Sequence, residues 1–223
     1  QPAVVQPAVV QPADFAKAAR LPSSGRQRFE SRRPEATALK TGDLVFVQSA
    51  TDYATALGTV MPGEFNHVGL VFVTSDGPQV ISAAKKLDQL PYDRWIRESK
   101  ASRVVVKRLA HSETLLTKEK MLPLKRFSFS SRGLEYDYGF DWEDTTLYAS
   151  EYIHKAFDLG PQITLGERKT LASLGVTKQN VRSVRDKHES QLSLQTEVVT
   201  PMSIFEDERL TVVFDNRGPT LAP

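Results

Sequence analysis

Cysteine is missing from all 223 residues. That excludes disulfides, thiolate metal sites and thiol catalysis by the chain as it stands. Long apolar runs are missing too: no stretch of about 18 such residues exists to cross a membrane as a helix. Charge of one sign is not in excess, with 29 basic and 27 acidic residues and a net charge of +2. Binding to nucleic acid needs a clustered basic surface, so no nucleic-acid partner is expected. The one local basic cluster, Arg26 to Arg33 (RQRFESRR), reads as a solvated connector. There is no Gly-rich phosphate loop, no GxSxG elbow and no HExxH pair. Four histidines (His67, His111, His154, His188) are spread too widely for a zinc pair. The acidic group Glu135, Asp137, Asp141, Glu143 and Asp144 lacks the spacing and glycine of an EF-hand loop. No metal and no cofactor are expected.

What remains is an ordinary globular composition, 40% hydrophobic and 25% charged. Residues 1–35 open with QPAVV, QPAVV, QPAD, and proline at that spacing favours an extended strut over a helix. They read as a Pro-rich tether, with a short helix around Asp14 to Arg20. Residues 36–223 form the folded domain. The chain begins at Gln1 without a signal peptide, which reads as a mature or trimmed chain. A tether of this kind suits an exported protein or a lipoprotein held at a bacterial envelope. Strands are expected at Leu44 to Val47, His67 to Val73, Gln79 to Ser82 and Arg103 to Arg108, with closing strands at Thr196 to Thr200 and Leu210 to Phe214. The turn Thr74 to Gly77 makes a hairpin of the second and third. This pattern predicts an antiparallel sheet in an α+β fold.

The strongest helix runs from Asp144 to Leu159, with capping oxygens before it and Gly160 after it. Residues 112–127 have mixed helical character disturbed by Pro123. Leu171 to Gly175 ends a short further helix. Two residues invite chemistry. His67 opens an apolar strand, where its ring meets solvent at the sheet edge. Ala149 stands near the start of the long helix, where exposed amides would lower the pKa of a thiol. A lone histidine is more often structural, and Ala149 also fits the buried stripe of its helix.

An ordered set of motifs changes that balance. TGDLVFVQS (41–49), FNHVGLVF (65–72), QVISAA (79–84), PYDRWI (91–96), VVVKRL (104–109), GLEYDYGF (133–140), LYASEYIHKAF (147–157) and VVTPMSI (198–204) resemble the YiiX-like branch of the NlpC-type cysteine hydrolases. The resemblance implies a circularly permuted papain-like fold, with an antiparallel sheet packed against the nucleophile-bearing helix. It implies His67 as base, Tyr136-Asp137 as the family's Tyr-Asp motif, and Ala149 at the position of the nucleophilic cysteine. It places Ser82 where the family often carries a glutamate that orients the histidine. Asp43, Gln48, Ser49, Tyr136 and Tyr148 are candidates for the oxyanion site or the substrate cleft. Asp43, Gln48 and Ser49 each also have a purely structural reading, which for Asp43, as the residue that fixes a turn, is the more expected one, and each tyrosine could equally be a packing aromatic.

Two accounts explain Ala149: a cysteine replaced to trap an inactive form, or a natural pseudoenzyme. Tyr148, Ser150, Glu151 and His67 all remain as the family would have them, which favours the first. The expected activity is that of an amidase or endopeptidase on peptidoglycan stem peptides or similar isopeptide links, silent with Ala149. A lipid acyl hydrolase or transferase is the enzymatic alternative, and a ligand-binding module without turnover is the other. The expected partner is therefore peptidoglycan or a peptide- or lipid-linked acyl substrate. The expected location is the periplasm or envelope, with tethering to the outer membrane through the N-terminus. Residues 159–180 carry no recognised motif and read as a lid, a specificity loop or a surface connection.

Overall fold

A computed structural model describes residues 38–217. The tether and its expected helix lie outside the described residues. In chain order the described elements are β1 (Leu44–Gln48), α1 (Asp52–Gly58), β2 (His67–Thr74), β3 (Gly77–Ala83), β4 (Leu87–Pro91), α2 (Tyr92–Glu98), β5 (Arg103–Leu109), α3 (Ser112–Leu115), α4 (Lys118–Ser130), α5 (Ala149–Leu159), β6 (Arg168–Thr170), α6 (Lys178–His188), β7 (Glu197–Val199), α7 (Pro201–Phe205) and β8 (Leu210–Asp215). Six strands build one antiparallel sheet in the order β4-β3-β2-β1-β5-β8. The α+β expectation holds, and so does the hairpin joining β2 to β3, in which Thr74 pairs with Gly77.

Strand side chains alternate between the two faces of the sheet. Val68, Leu70 and Phe72 of β2 join Ile81 and Ala83 of β3 and meet Tyr152, Ile153, Ala156 and Phe157 of α5. Each large side chain buried there contributes about 1.5–3 kcal/mol. The opposite face carries Val71, Val80, Val45 and Val47 against Tyr92, Trp95 and Ile96 of α2. Gly69 points to that second face. A Cβ there would come within 2.3 Å of Val80 Cγ1 and 3.2 Å of Trp95 Cζ2. Its absence lets the indole lie close against the strand, one residue pair from His67.

Several elements differ from the sequence expectation. Helix α5 begins at Ala149 rather than at Asp144. Residues 146 and 147 are used elsewhere: Thr146 bridges Glu135, and the Leu147 N–H donates to the Glu135 carbonyl at 3.1 Å. Tyr148 is therefore extended, at φ −100° and ψ 164°, and its N–H donates to Glu151 Oε2 at 3.2 Å. Pro123 sits inside α4 without ending it. Pro123 and Glu119 are both exposed, so the carbonyl deprived of its donor faces water. Leu171 to Gly175 is a set of turns, closed by Val176 N–H on the Leu171 carbonyl, and not a helix. The Thr196 to Thr200 segment yields β7, which pairs with β6 in a separate two-stranded ribbon and leaves the main sheet to β8.

Candidate active site

The chain reaches His67 through a rigid lead-in. Asn66 Oδ1 accepts from the Ser49 N–H at 2.8 Å, and Asn66 Nδ2 donates to the Ser49 carbonyl at 3.0 Å. This reciprocal clamp ties the start of β2 to the end of β1. His67 is buried, and its ring stacks on Trp95 with centroids 5.4 Å apart and planes 22° off parallel. Ser82 lies on the same face of β3, its Oγ 3.1 Å from His67 Nε2.

The hydrogen-bond directions fix the tautomer. The single hydroxyl proton of Ser82 is donated to the Val68 carbonyl at 2.6 Å. The same Oγ can then only accept from His67, so the imidazole proton resides on Nε2. Nδ1 keeps its lone pair and makes no hydrogen bond among the described residues. Burial drives the His67 pKa down to about 4, so the ring is neutral at neutral pH. A neutral, oriented imidazole with one free nitrogen is equipped to take a proton.

A cavity of about 350 Å³ adjoins the ring. Its lining includes His67, Ser82 and Trp95, with Lys85, Asp88 and Glu98 toward the outside. Both signs of charge therefore stand at its rim.

Ala149 is the first residue of α5, and its methyl group belongs to the core on the α5 face of the sheet. His67 and Ser82 project on the α2 face. The structure thus brings His67 and Ser82 into direct contact, whereas Ala149 is not among the residues lining the cavity beside the ring and heads a helix that starts at the same end of the sheet. The pairing of neighbouring segments establishes that shared end. Ala84 and Lys85 follow β3 where it passes the start of β2. The Tyr136 N–H donates to the Lys85 carbonyl at 3.0 Å, Glu135 bridges Lys86, and Glu135 also bridges Thr146, three residues before Ala149.

The other candidates divide. Gln48 is at the His67 end of β1, but its Oε1 accepts from Ser102 Oγ at 2.8 Å. Ser49 Oγ donates to the Ser99 carbonyl at 2.8 Å, and its N–H is held by Asn66. Ser49 still lines the cavity. Tyr136 packs against Tyr138 and Phe140. Tyr148 is fully buried, its hydroxyl accepting from the Val199 N–H at 3.0 Å. Both tyrosines are core aromatics of the segment that carries α5. Asp43 stands at the far end of β1, four residues from the Val47 that pairs with His67. Its carboxylate accepts from Arg108 at 2.6 and 2.8 Å and from the Lys40 N–H at 2.8 Å. It fixes the turn and the Arg108 side chain, and no part of it reaches the cavity.

Sequence reasoning passed over Trp95 and Asn66. Both lie within quoted motifs, PYDRWI and FNHVG, but nothing in their spacing distinguishes a stacking indole or a backbone clamp from packing.

An antiparallel sheet with a histidine strand early in the chain and a helix starting later at the same sheet end defines the class: a permuted papain-like α+β fold. Residues 38–214 match the family model described as a permuted papain-like amidase enzyme of the YaeF/YiiX type, and the chain belongs to that family. It is 25% identical over 175 residues to an uncharacterised Escherichia coli protein, YiiX, spanning 78% of this chain and 85% of that one. It also resembles a crystal structure of YiiX from another Escherichia coli strain, with a TM-score of 0.67 and 24% identity, covering 79% of this chain and 97% of that chain. That relative is described as a metalloprotein. Among the described residues here, no three His, Asp or Glu side chains are grouped to hold an ion. The family places the chain among cysteine hydrolases of the amidase kind.

Proposed function

We propose that the chain is the framework of a thiol amidase or endopeptidase whose nucleophile belongs at position 149 and whose base is His67. Its substrates are peptidoglycan stem peptides or similar amide links, and with Ala149 it binds them without turnover. The observation that carries this reading is the unengaged Nδ1 of a neutral His67, held by Ser82 and Trp95 beside a cavity. Charges of both signs at the cavity rim suit a peptide that bears carboxylates and an amine better than an apolar acyl chain.

With cysteine at 149, this reading requires the thiol to reach Nδ1 around the sheet end where β2 begins; the S–H proton then passes to Nδ1 and the sulfur attacks the amide carbonyl. The backbone N–H of residue 149, which has no partner within the helix, holds the oxyanion. Collapse breaks the C–N bond, and the Nδ1 proton leaves with the amine. Water then gives its proton to Nδ1 and its oxygen to the thioester, releasing the carboxylic acid and the thiol. Ser82 is the positioning residue, its Oγ accepting a hydrogen bond from Nε2–H throughout.

The test is Ala149→Cys. Its thiol should react with an iodoacetamide probe much faster than a free cysteine at neutral pH, and adding His67→Ala should abolish the difference. The restored enzyme should release peptides from purified peptidoglycan and leave phospholipid intact. Labelling at the rate of a free thiol, whether or not His67 is present, would remove the pair from the mechanism. Lipid products without peptide products would reassign the substrate.

A further inference from the structure

Helix α4 (Lys118–Ser130) buries Met121, Leu124 and Ser128. Its outer side is not simply polar. Leu122 is 49% exposed and Phe129 is 37% exposed, and they lie two turns apart on one line. Lys118 and Lys125 repeat at the same spacing beside them, and Arg126 completes the group. Helical geometry places these five side chains within roughly 100° of arc. Arg132, just past the helix, lays its guanidinium over the Phe129 ring at 5.2 Å. Glu119 is the one acidic residue in this stretch.

Lys118, Lys125 and Arg126 form no ion pair among the described residues, whereas Arg94, Arg103, Arg108 and Arg209 are each paired with a carboxylate. Phe129 is held rather than free, because its ring rests on Phe72 with centroids 5.3 Å apart. The outer face of the helix thus carries a fixed apolar crest with basic flanks.

We propose that the outer face of α4 docks this protein on an anionic phospholipid surface. Basic side chains are drawn to the negative leaflet, while Leu and Phe on the crest enter the headgroup boundary. Nucleic acid would engage the cations but leave Leu122 and Phe129 in water, so the apolar crest favours lipid. The docked helix also orients the rest of the molecule. Arg132 Nη1 donates to Gln89 Oε1 at 3.0 Å, and the Gly133 N–H donates to the Leu87 carbonyl at 2.8 Å. The end of α4 is therefore fastened to β4, the strand that supplies Asp88 and Leu90 to the cavity beside His67. This proposal stands on the α4 surface and does not depend on the thiol chemistry.

The full chain is sedimented with vesicles of phosphatidylcholine alone and with one quarter phosphatidylglycerol, at low and high salt. Binding is expected on the anionic vesicles only, weakening with salt. Lys125→Glu with Arg126→Glu should weaken it ~10-fold or more. Leu122→Ser, at a half-exposed position, should weaken it without changing the salt dependence. The basic stretch Arg26 to Arg33 is the same in every variant, so differences among them report on α4 alone. Equal binding by the unaltered chain and the charge-reversed variant would overturn the proposal. So would equal binding to both vesicle types, no effect of Leu122→Ser, or retention of a DNA duplex in preference to vesicles.

Discussion

The two ends of β1 each bury an ionisable group, and they treat it in opposite ways. At one end the Asp43 carboxylate is wholly enclosed, but three donors from Arg108 and Lys40 meet its oxygens. At the other end β1 pairs with His67, which has one hydrogen-bond partner and a free nitrogen. The Asp43 hydrogen bond in turn holds the Arg108 guanidinium firmly in its charged form. Burial alone therefore does not mark a functional group. Full satisfaction marks a structural one, and a single oriented partner beside a cavity marks one available for chemistry.

The most disruptive way to break this contrast is to remove Arg108. Arg108→Ala leaves a carboxylate inside the fold with only a backbone donor, and should cost about 3–5 kcal/mol of stability. Urea unfolding measures it as a fall in midpoint with little change in slope. Adding Asp43→Asn should recover part of the loss, since a neutral amide needs no counter-ion. Thiol labelling in an Ala149→Cys background should be unchanged by the pair of substitutions under conditions where the protein stays folded.

A second contrast sets His67 against Glu151 of α5. Glu151 is buried, with Lys155 Nζ 2.9 Å from Oε1, and burial raises its pKa to about 7 in spite of that ion pair. The two groups bend stability with pH in opposite directions. Folded His67 has a depressed pKa, so the unfolded chain binds its proton more readily. Its contribution is complete above the unfolded value of 6.5 and is lost as pH falls toward about 4. Folded Glu151 has a raised pKa, so its contribution is complete below the unfolded value of 4.5 and is lost as pH rises through about 7. Each effect is at most roughly 3 kcal/mol across its window. In the unaltered chain the two slopes oppose each other between pH 4.5 and 6.5. His67→Gln should make stability fall more steeply with rising pH, and Glu151→Gln should make it rise. Chemical denaturation across this range reads both, and identical profiles in all three proteins would show that neither group is held as described.

The same contrast explains what the sequence made legible. The apolar strands β1, β2 and β5 and the periodic stripe of α5 were readable because their side-chain periods match their burial. Helix α6 was not, because only Val181 and Val184 are buried in it and a two-residue stripe carries little periodicity. The start of α5 was misplaced because the capping oxygens of Asp144 to Thr146 say nothing about a bridge to Glu135 that forms only in three dimensions. His67, Ser82 and Ala149 were found by motif order. The roles of Asp43 and Trp95 depend on what stands across the sheet: Arg108 from β5 in one case, the flat surface over Gly69 in the other.

The gentlest way to sharpen the comparison is Ser82→Ala. It removes the acceptor for the Nε2 proton and the donor to Val68, but leaves His67 stacked on Trp95. A lost hydrogen bond of this kind costs about 1 kcal/mol, because the imidazole can turn to another partner or to water. The effect on chemistry should exceed the effect on folding. In an Ala149→Cys background the labelling rate should fall several-fold as the ring loses its fixed tautomer. Ser82→Glu makes the opposite change: a carboxylate beside Nε2 favours the imidazolium and should raise the pKa of His67, shifting the pH–rate profile of labelling toward higher pH. A pH–rate profile unmoved by either substitution would show that Ser82 fills space beside the histidine and does not position it.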